Sequence, residues 1–144
     1  MTDFDFIKMH GLGNDYVFID VTDRAIDTPQ LLARRVSDRE EGIGADGLIL
    51  FERLVDDAAA LRMQIFNADG SEAELCGNGI RCLARHAFES GFVAEPDFLI
   101  QTGAGVLPVE VRCEGGRCLA VSVGMGRPGI YLEDSGISVP GLDG

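Results

Sequence analysis

The run 66–82, FNADGSEAELCGNGIRC, constrains this chain more than any other stretch. It leaves an apolar segment, crosses a polar turn from Asn67 to Ser71, reaches Cys76, and passes through Gly77-Asn78-Gly79 straight into an amphipathic helix. In that helix Ile80, Leu83, Ala84, Ala87 and Phe88 recur at i, i+3, i+4, i+7 and i+8, the spacing of one buried face. Arg81, Arg85 and Glu89 fall on the opposite side, Arg85 and Glu89 one turn apart, and Ser90-Gly91 supplies a stop.

Around this helix the pattern is mainly that of strands. Residues 4–10 alternate and read as a strand, 11–15 as a glycine-rich turn, and 16–21 as a more buried strand. Thr28-Pro29 is an N-cap followed by an N1 proline, opening a helix over 30–36. Residues 47–52 and 61–66 are apolar strands, and the acidic, alanine-rich link 55–60 closes them as a hairpin. Strands follow at 98–101, 106–112 and 118–123, the last two joined by Glu114-Gly115-Gly116-Arg117. Strands dominate and one helix is central, which is α+β rather than an alternating βαβ plan. From Gly124 onward glycine and proline accumulate, so residues 1–125 form the domain and 126–144 a linker-like tail.

Size and charge narrow the classes of partner. The 144 residues suit one domain with a real core. Twenty-four acidic against 12 basic residues, net −12, argue against nucleic acid and anionic membranes as partners. A small anionic ligand remains compatible, because a cluster of backbone N–H groups binds a carboxylate whatever the net charge. No run approaches the ~20 apolar residues of a membrane span, and MTDFDFIKMHG lacks a basic-then-apolar leader, so the expected location is the cytoplasm. There the four cysteines, 76, 82, 113 and 118, are expected to be reduced.

Several motifs carry less than they promise. Gly42-x-Gly44-x-x-Gly47 follows Arg39-Glu40-Glu41 and leads into a strand, and Gly124-x-Gly126-x-x-Gly129 leads into an irregular stretch containing Pro128. Neither has the strand-to-helix context of a dinucleotide fingerprint. His10 and His86 stand in unrelated contexts, so no metal site is expected. His10 lies beside a glycine turn where it can touch a ligand, and His86 is placed on the solvated face of the helix. Cys113 and Cys118 flank a turn and read as a reduced cross-strand pair. Cys82 follows Cys76 by six residues, and at ~100° per residue the two point to different sides of a helix.

Cys76 is the candidate for chemistry. A free cysteine is most often a small buried hydrophobe. Here its neighbours are small, bury little and expose N–H groups, and the positive end of a helix favours thiolate over thiol. Residues alone leave a redox sensor, a nucleophile and a base all open.

Three motifs, KMHGLGNDYVFID (8–20), GIGADGLIL (42–50) and IFNADGSEAELCGNGIRC (65–82), occur in order at separations that resemble the N-terminal half of diaminopimelate epimerase. The resemblance runs through nearly the whole chain. It implies a fold of two pseudo-symmetric halves, each a strongly bent mixed or antiparallel sheet wrapped around a central helix, with the active site between them. It further implies an isomerase that interconverts LL- and meso-diaminopimelate for lysine and peptidoglycan synthesis, without pyridoxal phosphate, metal or other cofactor. The proton would be moved at the α-carbon by two cysteines, one per half. Cys76 matches the first of these by position. Asn14 and Asn67 match residues that hold the amino and carboxylate groups of the substrate, and Gly77 and Asn78 match contacts beside the thiol.

Two departures follow from the same comparison. Many relatives carry glutamine where this chain has Gly47, so a side-chain contact made there is not expected here. No second glycine-rich cysteine turn precedes Gly144. The expectation is therefore a half-enzyme, inactive alone, whose partners are diaminopimelate or a related amino acid and either the second half of the enzyme or a second copy of the chain. A half-size racemase active as a homodimer, an amino-acid binding module and a thiol redox-sensing domain are the alternatives.

Overall fold

The computed structural model describes residues 3–125; the expected tail over 126–144 lies outside the described residues. Ten elements follow in order: β1 (Ile7–Gly11), β2 (Asn14–Asp20), α1 (Pro29–Ser37), β3 (Gly47–Arg53), β4 (Leu61–Asn67), β5 (Glu72–Ala73), α2 (Gly77–Glu89), β6 (Asp97–Thr102), β7 (Gly105–Glu114) and β8 (Arg117–Val123). The strands make one sheet in the order β1-β2-β3-β4-β6-β7-β8, with β5 paired to β4.

Two of its neighbouring pairs, β2–β3 and β4–β6, are parallel and the rest antiparallel. Each parallel pair needs a crossover, and α1 and α2 provide one each. The plan is thus a mixed α+β sheet with two helical crossovers.

The sheet curls. Helix α2 packs against β1 and β2 at one end and against β7 and β8 at the other, so both ends of the sheet bend toward the same helix. Its stripe Ile80, Leu83, Ala84 and Ala87 is fully buried, as the 3.6-residue period requires. Opposite it, alternation along the strands selects Tyr16 and Phe18, Ile49 and Phe51, and Leu61, Met63 and Ile65 for the concave core. The intervening Val17, Ile19, Leu48 and Leu50 face outward and are covered with Ala33 of α1 in a second cluster. Coverage on both faces explains why residues 16–19 of β2 and 47–51 of β3 are buried in a continuous run rather than alternating. In β4, by contrast, Arg62 and Gln64 are exposed between buried neighbours.

Turns follow the expected chemistry with local corrections. The link between β3 and β4 is a hairpin, closed by the Leu54 N–H donating to the Ala60 carbonyl at 3.0 Å. Gly115-Gly116, both at positive φ, turns β7 into β8, as the primed hairpin turn demands. The first strand begins at Ile7, not at residue 4, and the first turn is only Leu12-Gly13. There Leu12 adopts φ 53°, a conformation unfavourable for a leucine, and its side chain is exposed. Thr28 caps α1 by position, with Pro29 in the first turn, but its hydroxyl makes no capping bond. Arg85 and Glu89 form the expected pair at 3.1 Å. His86 is not on the solvated face: it is half-buried, edge-on to the Phe51 ring at 6.2 Å. β5 is too short to have left a periodic trace.

Leu83→Ala removes a fully buried side chain from the face that holds the curl. It is expected to cost about 2–5 kcal/mol in urea unfolding, whereas exposed Leu31→Ala in α1 should change stability by under about 0.5 kcal/mol. Equal losses in the two variants would refute the assignment of α2 as the organising element.

Candidate active site

Cys76 is the N-cap of α2, in extended conformation at φ −136°, ψ 113°. The first intrahelical bond runs from the Ile80 N–H to the Cys76 carbonyl at 2.9 Å. The N–H groups of Gly77, Asn78 and Gly79 therefore precede the ladder, and they point along the positive end of the helix dipole. A helix start of this kind suits an anion, and the half-buried Cys76 thiol lies at its rim.

The first turn brings β2 beside the thiol. Tyr16 Oη donates to Cys76 Sγ at 3.2 Å, and Sγ–H donates to Asn14 Oδ1 at 3.4 Å. The amide of Asn14 is oriented from its other side, because Nδ2 donates to Asp46 Oδ2 at 2.7 Å. That carboxylate also accepts the Asp15 N–H at 3.0 Å, and its second oxygen meets Arg39 at 3.2 Å. A directional chain results, from the Tyr16 hydroxyl through the thiol and the Asn14 amide to Asp46. Sγ thus has an O–H on one side, which serves a thiolate, and an acceptor on the other, which serves a thiol.

Charges behind this chain are locked. Asp15 meets Arg39 at 2.8 Å and Lys8 at 3.2 Å. The Arg39 guanidinium is the main reason its carboxyl lies well below the usual carboxylate range. Burial, and secondarily the Cys76 thiol, push the Tyr16 hydroxyl well above the usual phenol value, so it remains a donor at neutral pH.

Of the residues expected at the site, Asn14, Cys76, Gly77 and Asn78 are brought together. Asn14 meets the thiol and Asp46 directly. Asn78 lies at the base of the first hairpin, where a Cβ on Gly11 would sit 3.3 Å from its own, and its Oδ1 accepts from Arg81. Asn67 ends β4 in register with Gly47, which is itself opposite Tyr16, so the three share one row of the sheet. Its Nδ2 donates to Ser71 Oγ at 3.0 Å, which holds the turn over 67–71. His10 is exposed and lines a cleft of about 190 Å³ with Asn78 and Arg81.

Two contributors were not singled out in the sequence, Tyr16 and Asp46. Tyr16 looked like one more apolar strand residue, and only its hydroxyl distinguished it from a phenylalanine. Gly47 gains a reason of its own. A Cβ there would lie 2.3 Å from the Phe66 carbonyl oxygen and 3.0 Å from the Tyr16 ring, so a side chain at 47 contests the space that Tyr16 occupies.

The same half-barrel curled around one helix is found in solved structures named as an epimerase, a racemase and PhzF-family proteins. It aligns with a hydroxyproline epimerase from Agrobacterium vitis at TM-score 0.64 and 19% identity, over 83% of this chain and 40% of that one. A PhzF-family protein of Bacillus anthracis aligns at TM-score 0.56 and 22% identity, over 78% and 35%.

The sequence is more specific. The diaminopimelate epimerase family model matches residues 6–131, and the chain belongs to that family. It is 48% identical to the diaminopimelate epimerase of Moorella thermoacetica over 96% of this chain and 50% of that protein. Identity to the Methanococcus maripaludis enzyme is 43%, over 90% of this chain and 46% of the relative. The chain therefore spans about half the length of the curated relatives it matches.

Two outcomes are expected here. Tyr16→Phe deletes the O–H that serves the thiolate and should slow iodoacetamide alkylation of Cys76 by roughly 3–10-fold at fixed pH, the worth of one hydrogen bond. Peptide-level mass spectrometry reads this, and an unchanged rate would remove Tyr16 from the site. Asp15, held low in the fold, contributes stability that is present above the ordinary carboxylate value and lost as pH falls toward its folded value. Asp15→Asn should thus be less stable than the parent near pH 7, and the gap should narrow in acid; a gap that stays constant with pH would contradict the linkage.

Proposed function

We propose that this chain supplies one half of a cofactor-independent epimerase site that interconverts LL- and meso-diaminopimelate, with Cys76 as the acid/base group on one face of the α-carbon. The observation that carries the reading is the placement of Cys76 Sγ between a donor and an acceptor at the open start of α2. Membership of the family supplies the substrate class.

Removing an α-proton leaves negative charge that delocalises onto the neighbouring carboxylate. The N–H groups of Gly77 and Asn78, aligned with the helix dipole, stabilise that charge as it develops. Cys76 takes the proton as thiolate, with Tyr16 O–H holding the sulfur beforehand. Once protonated, the S–H rests on Asn14 Oδ1, whose direction is fixed by Asp46. Asn67 and Asn78 bind the polar groups of the substrate. Asn14 then has two functions, a substrate contact through the amide and retention of the thiol proton.

Inversion, as opposed to exchange with retention, needs a second acid on the opposite face of the carbon. In this reading that acid comes from a second half of the enzyme, which also closes the cleft and excludes water. The chain by itself is then inactive. The same reading places the activity in lysine and peptidoglycan synthesis in the cytoplasm.

Incubation of the 144-residue chain with LL-diaminopimelate in deuterated water is expected to yield no meso product. Co-expression with the second half of the Moorella thermoacetica relative should restore turnover, and Cys76→Ala should abolish it, by at least about 10³-fold. Restored turnover that survives Cys76→Ala would refute the assigned role. Turnover by the chain alone, tracking a dimer in light scattering, would replace the second half with a second copy.

A further inference from the structure

The tip of the β7–β8 hairpin places two cysteines directly opposite each other. Glu114 and Arg117 close the two-residue turn, and the next pair across the ladder is Cys113 with Cys118. Pairs alternate along an antiparallel ladder, so the pair after the turn-closing one is non-hydrogen-bonded. The Cys118 N–H agrees with this: it points away from β7 and donates to Glu89 Oε1 of α2 at 3.3 Å. Cα atoms in such pairs stand about 4.5 Å apart, inside the ~4.4–6.8 Å window of disulfides.

Both side chains are on the inner face, Cys118 within the α2 core and Cys113 packed against it. Both are free thiols; Cys113 is part exposed and Cys118 only 8% exposed. Register slips between Arg112 and Cys113, leaving Leu119 opposite no residue. That bulge uncouples the tip from the rest of the ladder, so closure moves few atoms.

We propose that Cys113 and Cys118 form a redox-active dithiol that closes to a cross-strand disulfide by exchange with a low-molecular-weight disulfide, RSSR. The Cys113 thiolate attacks one sulfur of RSSR, and RS⁻ leaves, giving a mixed disulfide on Cys113. Cys118 then loses its proton and attacks Cys113 Sγ, expelling the second RS⁻. The two protons released by the cysteines are taken up by the two leaving thiolates. The dithiol is oxidised by two electrons, and RSSR is reduced to two RSH. Cys113 attacks first because it is the accessible member, and burial pushes the Cys118 thiol up. Cys76 lies on the extended N-cap, its Sγ engaged by Tyr16 and Asn14, whereas Cys82 lies inside α2, so the two are not matched across a ladder as Cys113 and Cys118 are.

The site is separate from the acid/base thiol, so oxidation at the hairpin is distinguishable from any loss at Cys76. The chain is equilibrated with oxidised and reduced glutathione, quenched in acid, alkylated and mapped under non-reducing conditions. The expected result is a Cys113–Cys118 disulfide as the main oxidised species, with Cys76 still alkylated. In Cys118→Ser a glutathione adduct should persist on Cys113, at about tenfold the level in the parent. A persistent adduct on Cys113 in the parent, or a dominant Cys76–Cys82 or intermolecular disulfide, would overturn the proposal. The parent map decides the matter even where Cys118→Ser lowers stability.

Discussion

Everything in this structure depends on α2 lying in the concavity of its own sheet. A helix with a full apolar stripe is stable only when that stripe is covered, and here β1, β2, β7 and β8 close on it from both ends. The curl is the consequence. It brings the first strands of the chain against the start of a helix more than sixty residues later, and so delivers Tyr16 and Asn14 to Cys76. Core and site are one construction, since the residues that pin the helix also set the position of its N-cap.

Within that frame the thiol environment is set by direction. Each hydrogen bond from Tyr16 to Asp46 has only one sensible donor, because Asp46 is an acceptor and fixes the Asn14 amide. Arg39 and Lys8 balance the two carboxylates in a chain whose overall charge is strongly negative. The field near the site is therefore controlled by local pairing, and the net charge of −12 has little to say about it. The Cys76 sulfur is thereby held with a donor on one side and an acceptor on the other.

Much of this was legible beforehand. The α2 stripe, the strands over 47–52 and 61–66, the Gly-Gly hairpin and the Arg85–Glu89 pair follow from periodicity and turn chemistry, which are local. Three motifs in fixed order were enough to point to the diaminopimelate epimerase family. What escaped was non-local or too short. Tyr16 sits in an apolar strand and betrays its role only through a partner sixty positions away. His86 reads as a surface residue by helical phase, yet the curl brings Phe51 over it. β5 has two residues and no period, and the strand expected from residue 4 begins only at Ile7, opposite Phe18, although β2 runs on to Asp20.

The sequence by itself determined the identities of the elements, the placement of a cysteine at a helix start, and membership of a family. These are encoded in contiguous runs, where side-chain order translates directly into helical or strand phase. Only the tertiary structure decided that α1 covers the outer face and α2 the inner, that two strand pairs are parallel, and that Tyr16, Asn14 and Asp46 converge on one sulfur. Those outcomes depend on how a twisted sheet bends to bury both faces at once, and no local pattern specifies the side to which it bends.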